Sequence, residues 1–582
     1  MLKIKPTPMI LGLLSIALIC GCEREAQRFT SSNTKVIQDV TFGSAPLPES
    51  ASGQSYVQPP SHVRPAPMAP SARERKVKIA GRPIRALKDY EGGTAEPTLG
   101  GAVQPGQMLS GASQQPNTNS VNPMTRVLDD ALSTFSIDVD TGSYTLARRT
   151  INSGSMPQAN AVRVEEFVNY FRYNYPAPGP EQGAFRVSLE AAPSPFEPGE
   201  NRKIMRVGVQ GKQLDQASRK PVHLTFLVDV SGSMSGEDRI ELAKDSLQVL
   251  TRNLGENDTI AITTYAGQVS TILEPTGTQK RDTISKAINS LRTGGATRMG
   301  DGLQLAYETA LKSFVAGDVN RVIVLSDGDA NVGARSHGEI LESIRSYVED
   351  GVTLSTIGFG MGNYQDQMME QLANKGNGNY YYIDSPEEAR KVFGEQLDGT
   401  LQVIAKDVKI QVEFDADAVE SYRLIGYENR DIADADFRRD RVDAGEIGAG
   451  HSVTALYEIV LSDAAARAGA NAHLATVRIR AKKPTGTQAA EQEFALTTRE
   501  LHASLADASA DFQFATAVAG FAEHLRESPY AQHISLALIA ELAGAATRSE
   551  QADRQEFLAL VAQVQKRSRH GLAANERLNR AR

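Results

Sequence analysis

The chain has 582 residues, 41% of them hydrophobic and 23% charged, with a formal charge of −8. That balance excludes a fully disordered chain and predicts two to four domains at roughly 100–200 residues each. It also argues against nucleic acid as a partner, because phosphate binding needs clustered Lys and Arg.

Both cysteines, Cys20 and Cys22, lie near the start, so the rest of the chain has no disulfide, thiolate nucleophile or Cys-ligated zinc. Lys3 and Lys5 precede an apolar run, Met9–Ile19, that has the length of a signal h-region and is too short to span a bilayer. The run ends in Ile19-Cys20-Gly21-Cys22, which resembles a bacterial lipobox. Ile19 is too bulky for the position before a cleavage site, so residues 1–21 read as a lipoprotein signal peptide and Cys22 as the lipidated residue; ordinary secretion is the alternative. Several acyl chains, at about 0.8 kcal/mol per buried methylene, would anchor the protein stably to a membrane. Glu23, rather than Asp, follows the lipobox, and by resemblance to Gram-negative sorting this favours the outer membrane, facing either periplasm or cell surface.

Residues 22–124 read as a disordered linker, rich in Pro, Ser and Gly, with Pro59, Pro60, Pro65, Pro67 and Pro70 close together. A flexible chain of about 100 residues reaches roughly 55 Å. Val77–Tyr90 is its least linker-like piece, with a short docking segment as the alternative. Residues 125–215 read as a small mixed α/β module, with a strand at Thr134–Ile137 and an amphipathic stretch at Val162–Phe171.

From 216 to 398 apolar runs alternate with helical patterns. Val222–Val228, Thr259–Tyr265, Val322–Leu325, Val352–Phe359 and Tyr380–Ile383 have the character of buried parallel strands. Helical faces lie between them, at Ala243, Leu247, Leu250 and Leu254, at Leu303, Ala306, Ala310 and Phe314, and at Ile340, Ile344 and Tyr347. The alternation predicts an α/β, doubly wound sheet, which binds ligands at the carboxyl ends of its strands.

Three loops at that edge carry the oxygen donors. The first strand runs into Asp229-Val230-Ser231-Gly232-Ser233, the Val322–Leu325 strand runs into Ser326-Asp327-Gly328, and Gly294-Gly295-Ala296-Thr297 precedes a helix. Two carboxylates and three hydroxyls suit a hard divalent cation, and Mg²⁺ takes about six oxygen ligands, some of them water. If Ser231, Ser233 and Thr297 coordinate through neutral hydroxyls, the metal keeps much of its charge and stays avid for an outside carboxylate. The plainer alternatives are a helix cap with a turn, or a metal that never meets a ligand.

These residues look like the metal-ion-dependent adhesion site of a von Willebrand factor A-type domain. The likeness is closer still to bacterial lipoproteins of the YfbK type, through Phe135-Ser-Ile-Asp-Val-Asp-Thr-Gly-Ser-Tyr144, Gly358-Phe-Gly-Met-Gly-Asn-Tyr364, Lys375-Gly-Asn-Gly-Asn-Tyr380 and Asp443-Ala-Gly-Glu-Ile-Gly-Ala-Gly-His451. The resemblance covers about residues 125–460. It implies a Rossmann-like domain whose Mg²⁺, or another divalent ion such as Mn²⁺ or Ca²⁺, is held by Asp229, Ser231, Ser233, Thr297 and Asp327 and receives an exposed Asp or Glu of a protein partner. Ala296 stands where many relatives have Ser, while Thr297 keeps its spacing to Gly302.

Asp138-Val-Asp140-Thr-Gly142 also resembles a calcium loop and the aspartate motif of haloacid-dehalogenase phosphatases, but Arg149 occupies the twelfth position and Gly142 stands where the phosphatase motif wants Thr or Val. A strand end followed by a helix cap is the reading preferred. Asp327-Gly-Asp329-Ala-Asn331 is likewise calcium-like, with Gly338 at position twelve; Asp329 is left undecided. None of the nine His forms a zinc pair or sits beside a nucleophile motif, so no catalytic residue is assigned.

Residues 399–503 alternate with period two, as at Val408, Ile410, Val412 and Phe414, and predict a β-sandwich-like domain. Residues 504–582 predict a helical segment whose stripe Phe514, Ala517, Val518, Phe521 and Leu525 reads as core, followed by a basic, solvated or frayed tail from Lys566. The expected function is non-enzymatic: a lipid-anchored envelope protein that binds a partner through its metal site. The rivals are a metal-independent scaffold or assembly factor, and a Mg²⁺-dependent phosphohydrolase using Asp138.

Overall fold

A computed structural model describes residues 121–582 apart from 180, 198, 216–217, 329–336, 361–365, 443, 468–470 and 582, together with Lys78–Ile79 and Arg82–Pro83. The signal segment, Cys22 and most of the expected linker lie outside the described residues. Within that linker Lys78–Ile79 and Arg82–Pro83 pair as antiparallel strands, inside the stretch that reads as least linker-like. No helix among the described residues is long and apolar enough to cross a membrane.

The doubly wound domain is built on six strands in the order Tyr380–Tyr382, Thr353–Gly358, Val319–Ser326, Val222–Asp229, Thr259–Tyr265, Val269–Gly277. All neighbours are parallel except the last pair. Val222–Asp229 is buried along its whole length, as a central strand covered on both faces must be. One core holds Val222, Leu224, Phe226 and Val228 with Leu247 and Leu250. The opposite core holds Leu227, Val322 and Val324 with Leu303, Ala306 and Leu372.

The N-terminal module and the β-rich domain, expected to be separate, share both of their sheets. Leu132–Ser136 pairs with Val403–Phe414, which also pairs with Ile447–Gly448 and His473–Lys482; Ala489–Thr497 completes that sheet. Thr125–Arg126, Val419–Ile425, Ser452–Leu461, Arg202–Gly211 and Phe185–Pro193 form the second sheet in that order, every pair antiparallel. Phe135, Val207, Ile410, Val412, Tyr457 and Val477 meet between the sheets. Residues 125–211 and 403–497 thus form a single sandwich into which the doubly wound domain is inserted. Period two reveals which face of a strand is buried but not which strand lies beside it.

The predicted helical segment caps this sandwich. Ile204, Ile425 and Leu456 of the second sheet pack beneath Phe514, Ala517, Val518, Phe521 and Phe557. The helices Gly142–Asn152 and Val164–Asn169 join the same layer through Tyr144, Ile151, Phe167 and Phe171. The expected core stripe at 514–525 is therefore buried. The basic tail is not frayed along its backbone: it continues the helix Ala552–Ala581. The folded body starts before residue 125, because the Asn122 amide donates to the carbonyls of Leu424 and Gly426 at 3.1 and 2.8 Å.

The inserted domain touches the sandwich closely at one glycine pair. A Cβ on Gly448 would collide with the Gly399 carbonyl, at the short helix Leu397–Leu401 that ends the insertion. Backbone has no side-chain freedom with which to yield. Gly448→Ala is expected to lower unfolding stability by about 1–3 kcal/mol, measured by urea denaturation.

Candidate metal centre

Asp229 is the last residue of the central strand, and Asp327 is the first residue beyond its parallel neighbour, whose Leu325 lies opposite Val228. From this strand the chain goes to Thr259–Tyr265 on one side and later to Val319–Ser326 on the other, so the carboxyl end of Val222–Asp229 is a topological switch point, where such sheets open a crevice.

Asp229 is 0% exposed, and both of its oxygens are used. Oδ1 accepts the Ser231 backbone N–H at 2.8 Å, and Oδ2 accepts the Ser326 hydroxyl at 3.1 Å. The first bond folds the chain back after the strand. The short 3₁₀ turn Gly232–Met234 then brings the Ser231 and Ser233 hydroxyls to 2.9 Å of each other. Arg239 fixes the far side of the loop by donating to the Ser233 carbonyl at 2.5 Å.

The Thr297 loop is stitched to this one through backbone. The Gly294 N–H donates to the Val230 carbonyl at 2.7 Å, and the Gly232 N–H donates to the Gly295 carbonyl at 3.2 Å. Gly295 has φ +88°, and a Cβ there would come within 2.9 Å of the Gly267 nitrogen, so this position demands glycine. Thr297 is half-buried two residues on, just before the helix Met299–Ala310.

Asp327 is 5% exposed and follows Ser326, the residue that bonds Asp229. Gly328 turns at φ +76° and donates its N–H to the Ser326 hydroxyl at 3.2 Å. Asp329 and Asn331 lie outside the described residues.

Burial pushes the Asp229 carboxyl above its usual range. The hydrogen bond from the Ser231 N–H opposes that rise, and the nearby Asp327 charge adds to it. Burial and the Asp229 charge drive the Tyr265 phenol well above its normal value, so it stays neutral. Two acids close enough to repel, beside paired hydroxyls, form a site where added positive charge is favoured.

Hydroxyl spacing tests the fit to an ion. Octahedral Mg²⁺ with bonds of about 2.0–2.1 Å places adjacent ligand oxygens about 2.9 Å apart. The Ser231–Ser233 separation of 2.9 Å matches that edge. Asp229, with both oxygens committed to Ser231 and Ser326, is arranged to hold the loop around an ion rather than to grip it alone.

Ser326, Tyr265 and Arg239 are site residues that sequence reasoning missed. Ser326 carried a readable signal, being a hydroxyl at a predicted strand end directly before Asp327. Arg239 carried none, since its role depends on the fold of the loop.

The Asp138 motif lies elsewhere and is closed. Asp138 is 3% exposed, and its Oδ1 accepts from Arg430 at 3.0 Å and from the Asp140 N–H at 3.0 Å. An attacking nucleophile needs an open approach, which this carboxylate does not have. A strand end and a helix start flank the motif, but Thr141 makes no side-chain cap. Glu166 instead accepts the Ser143 N–H at 2.7 Å and caps the helix from outside.

Residues 223–395 match the family model described as von Willebrand factor type A domain, residues 399–566 match that of the uncharacterized protein YfbK C-terminal region, and residues 112–206 match a further von Willebrand factor model. The uncharacterized protein YfbK of Escherichia coli (strain K12) is 39% identical over 463 residues, 76% of this chain and 79% of that one. Human inter-alpha-trypsin inhibitor heavy chain H3 is 28% identical over 205 residues, 34% of this chain and only 22% of that protein. Among solved structures, a von Willebrand factor type A protein from Catenulispora acidiphila aligns with TM-score 0.39 at 16% identity, covering 65% of this chain and 88% of that one. With the sheet order, the family model and a relative similar over three quarters of its length agreeing, the chain belongs to the YfbK family of von Willebrand factor type A domain proteins.

Proposed function

We propose that the protein is a lipid-anchored adhesion module of the cell envelope, which binds a protein partner through a divalent ion completed by an Asp or Glu of that partner. Von Willebrand factor type A domains serve protein–protein contacts, and the reading beyond that rests on the 2.9 Å pairing of the Ser231 and Ser233 hydroxyls above a buried Asp229. Ser231, Ser233 and Thr297 would hold the ion, with Asp229 and Asp327 fixing those hydroxyls or its waters. A cation held mainly by neutral hydroxyls keeps most of its charge and offers an open position to an outside carboxylate.

The chain's own residues do the preparatory work. Asp229 sets the loop by taking the Ser231 N–H, Ser326 ties the two strand ends together, and the glycine loop at 294–295 supplies Thr297 at the rim. Cys22 would carry the anchor, and the sequence from 23 to about 120 would separate the site from its membrane.

Mn²⁺ titration followed by electron paramagnetic resonance tests the ion directly. Wild type is expected to bind one Mn²⁺ that Mg²⁺ displaces, and Ser231→Ala with Ser233→Ala, which removes two ligands, to weaken binding by at least about 100-fold, the upper end of the loss from a residue that only orients ligands. Equal Mn²⁺ binding by wild type and the double variant would sink the reading. Capture of envelope proteins that survives EDTA unchanged would favour the metal-independent scaffold instead.

A further inference from the structure

The junction between the inserted domain and the sandwich is crowded with buried carboxyl groups. From the end of the strand Leu132–Ser136 come Asp138 and Asp140, from the helix Val164–Asn169 come Glu165 and Glu166, and from the inserted domain's helix Asp366–Lys375 comes Glu370. Oxygens of Asp138, Glu165 and Glu166 all lie within 4.8 Å of one another. Two guanidiniums answer them. Arg430 reaches Asp140 at 2.8 Å, Asp138 at 3.0 Å and Glu370 at 3.8 Å, while Arg163 pairs with Glu166 and reaches Glu370 at 3.4 Å.

These same groups join the two bodies. Asp140 accepts the N–H of Tyr380, at the edge strand of the inserted sheet, at 2.8 Å. Arg430 donates to Asn374 at 2.8 Å, and Asn429 donates to Glu370 at 2.8 Å. Fully ionised, the junction would confront five buried anions with two guanidiniums, a state that buried groups escape by keeping protons. Arg430 reaches only Oδ1 of Asp138, and Oδ2 is buried with no hydrogen-bond partner.

We propose that this junction is a proton-loaded latch: protons shared among its carboxyl groups hold the metal-site domain on the sandwich, and their loss in an alkaline medium loosens that contact. The proposal is independent of the metal reading. Burial, then Glu428, Asp138 and Glu166, raise Glu165 to about 8, against one opposing hydrogen bond from the Tyr427 N–H. Burial raises Glu166 to about 7, with Arg163 opposing and Glu370 and Asp138 adding to the rise. Asp140 is raised well above its usual value by burial and Asp138 despite Arg430. Glu428 is itself paired with Arg526 at 2.8 Å, so it adds charge without accepting relief from Arg430.

Between the ordinary carboxyl range and about 8 the folded protein binds more protons than the unfolded chain, so stability falls as pH rises through that window. Thermal unfolding of the full chain should therefore show Tm dropping by roughly 5 °C or more between about pH 5.5 and 8.5. Glu165→Gln keeps an acceptor for Tyr427 and removes the titration. It should melt above wild type at about pH 8.5 and lose that advantage at about pH 5.5. Glu166→Gln serves as the second variant should the first fail to fold. Hydrogen exchange, corrected for intrinsic rate, should speed up with pH in 366–375 and 427–430 before it does in the central strand 222–229. Parallel pH–Tm curves for wild type and both variants would overturn the latch. So would millimolar Ca²⁺ that restores the alkaline Tm of wild type but not of Glu165→Gln, since a cation would then fill the cluster.

Discussion

Asp229→Ala is expected to weaken divalent-ion binding about 100-fold, and EDTA-sensitive partner capture with it, while leaving the fold intact. The substitution frees the Ser231 N–H and the Ser326 hydroxyl together, so it undoes the turn that pairs Ser231 with Ser233 and the tie between the two central strand ends. Losing a residue that orients metal ligands typically costs 10–100-fold in affinity, and losing the charge as well puts this variant at or beyond the upper end, about 100-fold. Asp229→Asn separates the two contributions. Asn still accepts the Ser231 N–H and keeps the turn, but it carries no charge, so an intermediate loss is expected from it. Mn²⁺ titration of both variants reads the difference, and wild-type affinity in Asp229→Ala would remove this carboxylate from the site.

The largest stability loss is expected at Arg423. Its side chain is 0% exposed, pairing with Glu458 at 2.9 Å and with Glu523 of the helix Ala510–Leu525 at 3.2 Å. The guanidinium also lies 4.0 Å from the centre of the Tyr530 ring. Burial alone would raise the Glu523 carboxyl, yet Arg526 and Arg423 hold it below its usual value. Arg423→Ala strands Glu458 with no guanidinium and leaves Glu523 with Arg526 alone, at a cost of about 3–5 kcal/mol. Adding Glu458→Gln to that variant should recover part of the loss, because a neutral amide tolerates burial better than an orphaned charge. Urea denaturation of the single and double variants measures both effects. A loss under about 1 kcal/mol in the single variant would show that water reaches the pair.

The doubly wound domain was readable from sequence because its central strands are covered on both faces and so appear as unbroken apolar runs. Val222–Val228 is the clearest of them, and every residue of the strand is buried. The loops that end those strands could then be placed at one edge without knowing any contact. Asp229, Ser231 and Ser233 come together through short-range turns, whereas Thr297 and Asp327 depend on strand order. The sandwich was harder, because pairings such as Phe135 with Ile410 join residues on either side of the whole inserted domain. The Asp138 motif was illegible for a related reason: its true partners, Arg430 and Tyr380, stand more than 200 positions away. Charge along a chain says nothing of which distant cation will neutralise it.

Insertion rather than tandem linkage changes how the site domain is held. Its entry and exit chains run side by side, with Lys220 donating to the Gln402 side chain at 3.1 Å and accepting from it at 2.9 Å. Entry comes from one sheet of the sandwich and exit leads into the other. Tension applied at the carboxyl-end loops of the inserted sheet is therefore divided between two covalent tethers, and torque is resisted because neither strap can act as a free swivel. A bound partner pulling on this protein would load both sheets at once.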